Sequence, residues 1–203
     1  MLVHKIAGAA AEAGLELADV KSITQKAIDR TRSIGFALTS CTVPAKGTPT
    51  FELGEDEIEY GVGIHGEPGI RREKNAAADK LAKKMVADLF RDMKLDDGSA
   101  EELAVLVNGF GASLLQELYL LANAVVREIR SRHVSIFKVF VGNDMTSIDM
   151  AGASVSLKRL DEQLKHYLQA DCATPALQVN GPFSSLRSAE AGTELQAIEA
   201  GMA

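Results

Sequence analysis

The stretch EYGVGIHGEPGI, residues 59–70, sets four glycines and a proline around one histidine, His65. Glycines at 61, 63, 66 and 69 strip side chains from both flanks of the ring. They permit unusual dihedrals and the close approach of a ligand or another segment. A neutral imidazole is both base and nucleophile and titrates near cellular pH, and Glu67 is a candidate to orient or charge-balance it. A plainer role fits the same residues: a solvated loop histidine, or one bonded to neighbouring backbone. Loops host both kinds, and the residues alone leave the two open.

Other patterns carry less. GVGIHG, residues 61–66, fits GxGxxG, but that motif holds a dinucleotide only where a helix starts at its third glycine. EPGIRR follows instead, and Pro68 biases its predecessor away from helical geometry, so no nicotinamide site is expected. VNGFGAS, residues 107–113, either aims backbone donors at an anion or, the favoured reading, makes a tight strand-to-helix turn with Ser113 as N-cap. Asp144 and Asp149 lack a third partner and read as helix caps rather than cation ligands, so no metal site is expected. His4, His133 and His166 have no partner at ligand or relay spacing. No phosphate-binding GxxxxGK(S/T) loop and no kinase-type catalytic loop occurs, so no nucleotide is expected on this chain by a familiar route.

The elements that must position these residues alternate between strand and helix. Residues 2–13 read as a helix without an N-cap, stopped at Gly14. A second helix is expected over 19–33, ending at Gly35, then a strand over 36–43 and a turn-rich loop over 44–49. Residues 50–53 and 57–64 read as extended; Ile58, Tyr60 and Val62 alternate with Glu57, Glu59 and Gly61. NAAADKLAKKMVADLFRDM, residues 75–93, is an amphipathic helix with Leu81, Met85 and Leu89 on one face. Strands are expected at 102–108, 134–142 and 153–160, a long helix from Ser113 to Arg130, and a short helix through Leu168 capped by Asp161. This order predicts an α/β domain with a mixed sheet flanked by helices over residues 1–177. From residue 178 the composition turns small and polar, which predicts a flexible tail over 178–203.

The 203 residues are 46 % apolar and carry a formal charge of -6. With no dense Lys/Arg block to neutralise phosphates, a nucleic-acid partner is not expected. Cys41 and Cys172 form no CxxC pair and suit a reducing compartment. No apolar run approaches the ~20 residues that span a bilayer, so no membrane partner is expected and a cytoplasmic location is.

Taken together, LVHKIAGAAAEAG, GFALTSCTVPAKGTPTFELGEDEIEYGVGIHGEPG, VNGFGAS with QELY, and TSIDMAG with TPAL resemble dihydroxyacetone kinase, specifically its substrate-binding (DhaK-type) subunit. The likeness runs from Leu2 to Leu177, and GIHGEPG after the acidic GEDEIE strand and TVPAKGTP is its most specific part. The resemblance implies that His65 binds a short hydroxy-ketone or aldehyde covalently as a hemiaminal, so that glycerol, lacking a carbonyl, is refused. It implies ATP or ADP with magnesium on a separate helical, DhaL-type subunit or domain, and a homodimer. It also implies a longer N-terminal portion bearing an acid–base histidine and aspartate, to which neither His4 nor any aspartate here corresponds; only His65 carries over. The chain is therefore expected to be the carboxy-terminal part of such a subunit. The alternatives are a noncatalytic coactivator-like ligand-binding module and a fragment with no autonomous function.

Overall fold

The computed structural model describes residues 1–45, 47–65 and 69–183. Six strands form one mixed sheet in the order β3-β2-β1-β6-β4-β5. They are β1 (Thr31–Ala37), β2 (Glu57–Tyr60), β3 (Arg71–Lys74), β4 (Glu102–Gly109), β5 (Ser135–Gly142) and β6 (Gly152–Leu160). Only β4 and β5 run parallel; the other neighbours are antiparallel. A parallel pair requires a crossover, which α4 (Leu115–Ser131) provides.

Both faces of β4 are covered, which is why its residues form a continuous apolar run rather than an alternating one. Leu103, Val105 and Val107 face α4 and α3 (Ala78–Met93), where Leu81, Met85, Leu89, Leu118 and Val125 complete the main core. Ala104 and Leu106 face the other way, toward α1 (Leu2–Glu12), α2 (Leu17–Asp29) and α5 (Glu162–Gln169), meeting Ile6, Ile23, Leu164 and Leu168. Each such side chain contributes about 1.5–3 kcal/mol by leaving water. Asp161 caps α5 as expected, its Oδ1 accepting from Leu164 N–H at 2.9 Å. Among the described residues no helix is long and apolar enough to cross a membrane.

Several boundaries differ from the expectation. The second helix stops at Asp29 rather than residue 33, because the carbonyl of Ala27 accepts instead from Thr31 Oγ1 at 2.7 Å and from Lys158 Nζ at 2.5 Å. The strand that follows is residues 31–37, not 36–43; its whole length pairs with β6, whose demand for a partner outweighs the poor apolar alternation of TRSIGFA. No strand forms at 50–53; nearby, only an isolated bridge joins Thr42 to Pro49. The charged strand β3, RREK, is an addition, and its polarity suits a sheet edge.

The first residues of the expected tail are packed. A second, small pairing joins β7 (Cys172–Ala173) to β8 (Gln178–Val179), and Val179 is buried. Phe183 meets Phe137 and Phe140 edge-on, with ring centroids 5.8 and 6.0 Å apart. Burial of these apolar groups outweighs the polar composition around them. Residues 184–203 of that expectation lie outside the described residues.

Candidate functional site

His65 stands on the connection between β2 and β3, and the sequence builds that connection from its base. Tyr60 pairs with Arg71 and Glu59 with Arg72 in the ladder. Beyond the last pair, Ile70 N–H donates to the Tyr60 carbonyl at 2.8 Å. Glu59, only 7 % exposed, accepts from Gly69 N–H at Oε1 (2.9 Å) and from Arg72 Nε at Oε2 (3.2 Å). These contacts make a neck at the base of the connection. Two of its glycines are required sterically. Gly61 has φ +83°, and a Cβ there would lie 2.5 Å from the Ile70 side chain. A Cβ on Gly69 would lie 2.6 Å from the Tyr60 carbonyl oxygen.

From the neck the chain runs outward as an arm. Gly61 N–H donates to the Gly35 carbonyl at 2.7 Å. The alternation expected from Ile58 through Tyr60 to Val62 breaks here: Ile58 and Tyr60 join the main core, whereas Val62 enters a separate cluster with Ala37, Cys41, Phe110 and Met150. Ile64 packs against that same cluster, and His65, the next residue, is exposed. The arm's inward residues are thus held, and His65 follows them at an exposed position.

Residues 61–64 of the arm wall a cavity of about 870 Å³, within the size range of small-molecule sites. Its lining also includes Ser33, Ile34, Asn108, Phe110, Ser154 and Ser156. The hydroxyls of Ser33 and Ser156 are 2.6 Å apart. Asn108 holds the far rim: its Oδ1 accepts from the backbone of Asp144 and Met145, and its Nδ2 donates to the Met145 carbonyl. Paired charges frame the mouth, with Arg32 Nε 2.6 Å from Asp92 and Arg71 3.6 Å from Asp88. Tyr60 locks the base of the arm to α3 by donating to Asp88 Oδ2 at 2.9 Å. Burial, reinforced by the bond to Asp88, holds its phenol well above the usual tyrosine range.

The remaining sequence candidates do not converge on His65. The third glycine of GVGIHG, together with Glu67 and Pro68, lies outside the described residues, and the next regular element is the strand β3 rather than a helix. In VNGFGAS, Phe110 N–H donates to the Gly152 carbonyl and Ala112 N–H to the Met150 carbonyl, so neither amide is turned to an anion. Ser113 is not the N-cap of α4. Leu114 occupies that position, its N–H donating to Glu117 Oε2, while Ser113 is committed to Gly152. Asp149 Oδ1 accepts from Thr42 N–H at 2.8 Å rather than capping a helix. Asp144 caps no helix either, and burial raises its carboxyl pKa. Among the described residues no group of three or more His, Cys, Asp or Glu side chains is placed to hold a metal. His4, His133 and His166 are exposed and apart from the arm. Sequence reasoning overlooked Glu59, whose place in the alternation marks it for solvent; only its neighbour Arg72 across the ladder hints otherwise.

Comparison with known proteins follows the same outline. A family model described as the Dak1 domain matches residues 1–176. The chain is 46 % identical over 163 residues to the dihydroxyacetone-binding subunit DhaK of PTS-dependent dihydroxyacetone kinase 1 from Listeria innocua, covering 80 % of this chain and 49 % of that one. Among solved structures, the dihydroxyacetone kinase operon co-activator Dha-DhaQ superposes with TM-score 0.78 at 33 % identity, covering 84 % of this chain and 52 % of that one. The dihydroxyacetone kinase from C. freundii in complex with AMP-PNP and Mg2+ superposes with TM-score 0.74 at 27 % identity, covering 95 % and 35 %. The chain spans about half the length of the DhaK subunit it matches. Fold, motif and match agree: the chain belongs to the Dak1 domain family.

Proposed function

We propose that this chain supplies the substrate anchor of a dihydroxyacetone kinase-type phosphotransferase, holding a short hydroxy-ketone or aldehyde on His65 as a hemiaminal. A neutral ring nitrogen adds its lone pair to the carbonyl carbon. The carbonyl π electrons move to oxygen, which takes up a proton as the ring gives up its N–H proton. The net change is addition of N–H across C=O, with nothing leaving and no redox change. The bound triose then offers a terminal hydroxyl to a phosphoryl donor. The donor nucleotide, ATP or ADP with magnesium, belongs on a separate DhaL-type subunit or domain, and the working form is a homodimer. The observation that carries the reading is the placement of His65: an exposed residue at the end of an arm whose preceding residues are packed and whose base is closed. The printed name of the Listeria relative, a dihydroxyacetone-binding subunit, supports the ligand class.

The test is the carbonyl carbon itself. With [2-13C]dihydroxyacetone, wild-type protein should convert the ketone resonance to that of a saturated carbon bearing nitrogen and oxygen, and H65A should not. Glycerol should not compete. An unchanged ketone resonance at saturating ligand would sink the reading.

A second reading is favoured by the superposition on the co-activator: a ligand-binding module that docks to a partner without turnover. Adduct formation in both cases leaves one discriminating measurement, phosphorylation of the triose when the nucleotide-bearing subunit is supplied.

A further inference from the structure

We propose that Glu59 is the positioning residue of the His65 arm: its buried carboxylate clamps Gly69 and so fixes where the imidazole stands. The proposal rests on the anchoring role given above to His65. A carboxylate at 7 % exposure carries a desolvation cost that only well-placed partners offset. A cross-strand ion pair with Arg72 would occupy one oxygen, and Arg72 meets Oε2. The other oxygen, Oε1, is spent on a backbone amide of the loop, Gly69 N–H, ten residues along the chain. That amide is four residues from His65, one residue nearer than the Ile70–Tyr60 bond that closes the ladder.

The clamp and the glycine fit as a pair. A Cβ on Gly69 would sit 2.9 Å from Glu59 Cγ and 2.6 Å from the Tyr60 carbonyl oxygen, so the approach exists only for glycine. With Glu59 removed, the loop is joined at its base by the ladder bond, and its return strand is free to shift at Gly69. Pre-organisation of this kind acts on ligand affinity, because an anchor that must first be ordered binds less tightly. Charge-assisted hydrogen bonds to backbone N–H are the stronger kind, so the loss is measurable.

Four variants of the full chain, E59A, E59Q, R72M and I23V, separate positioning from general stability. Dihydroxyacetone affinity is read from the 13C adduct signal, and local closure from amide hydrogen exchange at Gly69. Glutamine keeps an acceptor oxygen for Gly69 N–H, so E59Q should bind within about threefold of wild type, whereas E59A should lose about tenfold. R72M leaves Oε1 and Gly69 in contact and should retain affinity. I23V lowers stability by loosening the core beneath α1, α2 and α5, away from the arm, and should leave affinity and Gly69 exchange unchanged. Gly69 exchange should accelerate in E59A and not in E59Q. Unchanged affinity in E59A, an equal loss in E59Q, or a loss in R72M matching that of E59A would overturn the proposal. Should E59A fail to fold, E59Q and R72M decide by the same criteria. Should wild type form no adduct, the anchoring role fails by itself, and the clamp stands or falls on Gly69 exchange.

Discussion

Ser113 and Gly152 exchange two hydrogen bonds through a single hydroxyl: Ser113 Oγ donates to the Gly152 carbonyl and accepts from Gly152 N–H, each at 2.8 Å. The contact fastens the turn after β4 to the start of β6, which carries β1 and through it the arm. Replacing Ser113 with alanine takes the acceptor from Gly152 N–H in a buried place, while the Gly152 carbonyl still accepts from Phe110 N–H at 3.1 Å. S113A should therefore cost about 1–2 kcal/mol, read as a lowered urea midpoint at unchanged slope; a loss below half of that would show the hydroxyl to be dispensable.

Tyr60 gives a second handle. Y60F removes the bond to Asp88 and should cost about 1 kcal/mol near neutral pH. Because the folded phenol ionises above its unfolded value, its contribution is complete below about pH 10 and fades as pH climbs past it. The stability gap between wild type and Y60F should accordingly narrow in alkali. A constant gap would contradict the assignment.

Lys158 behaves oppositely. It is fully buried between β6 and the end of α2, and burial lowers its pKa to about 8. Between about pH 8 and 10.4 the unfolded chain binds the proton that the folded chain releases, so folding strengthens as pH rises through that window. K158M has no such proton. Urea titrations should show wild type gaining on K158M by on the order of 2–3 kcal/mol across the window, and parallel curves would refute it.

Gly61 tests the arm's root. Its φ of +83° and the Ile70 side chain leave an added methyl no room, so G61A should cost about 1–3 kcal/mol from strain and overpacking. Proteolysis between β2 and β3 should accelerate in proportion. A variant as stable and as resistant as wild type would mean the turn adapts freely.

Much of this framework is legible from residue order because the relevant signals are local. Leu81, Met85 and Leu89 recur at helical spacing and all are buried in α3; Asp161 precedes α5 and caps it. What escapes is set by distant partners. Thr31 to Ala37 becomes a strand because β6 lies beside it, and nothing in TRSIGFA announces that. RREK is a strand only because β2 needs a neighbour. At the site, the glycines around His65 flag an unusual bend, yet the clamp by Glu59 depends on a contact across the loop that alternation places on the wrong side.

The outermost strand of this hairpin, β3, offers its free rim through Arg71, Arg72, Glu73 and Lys74. Bulky, hydrated charges deter a foreign polypeptide from zipping onto the border of the sheet. On the border of the hairpin that bears the arm, therefore, the chain's own ions discourage a second sheet edge from pairing.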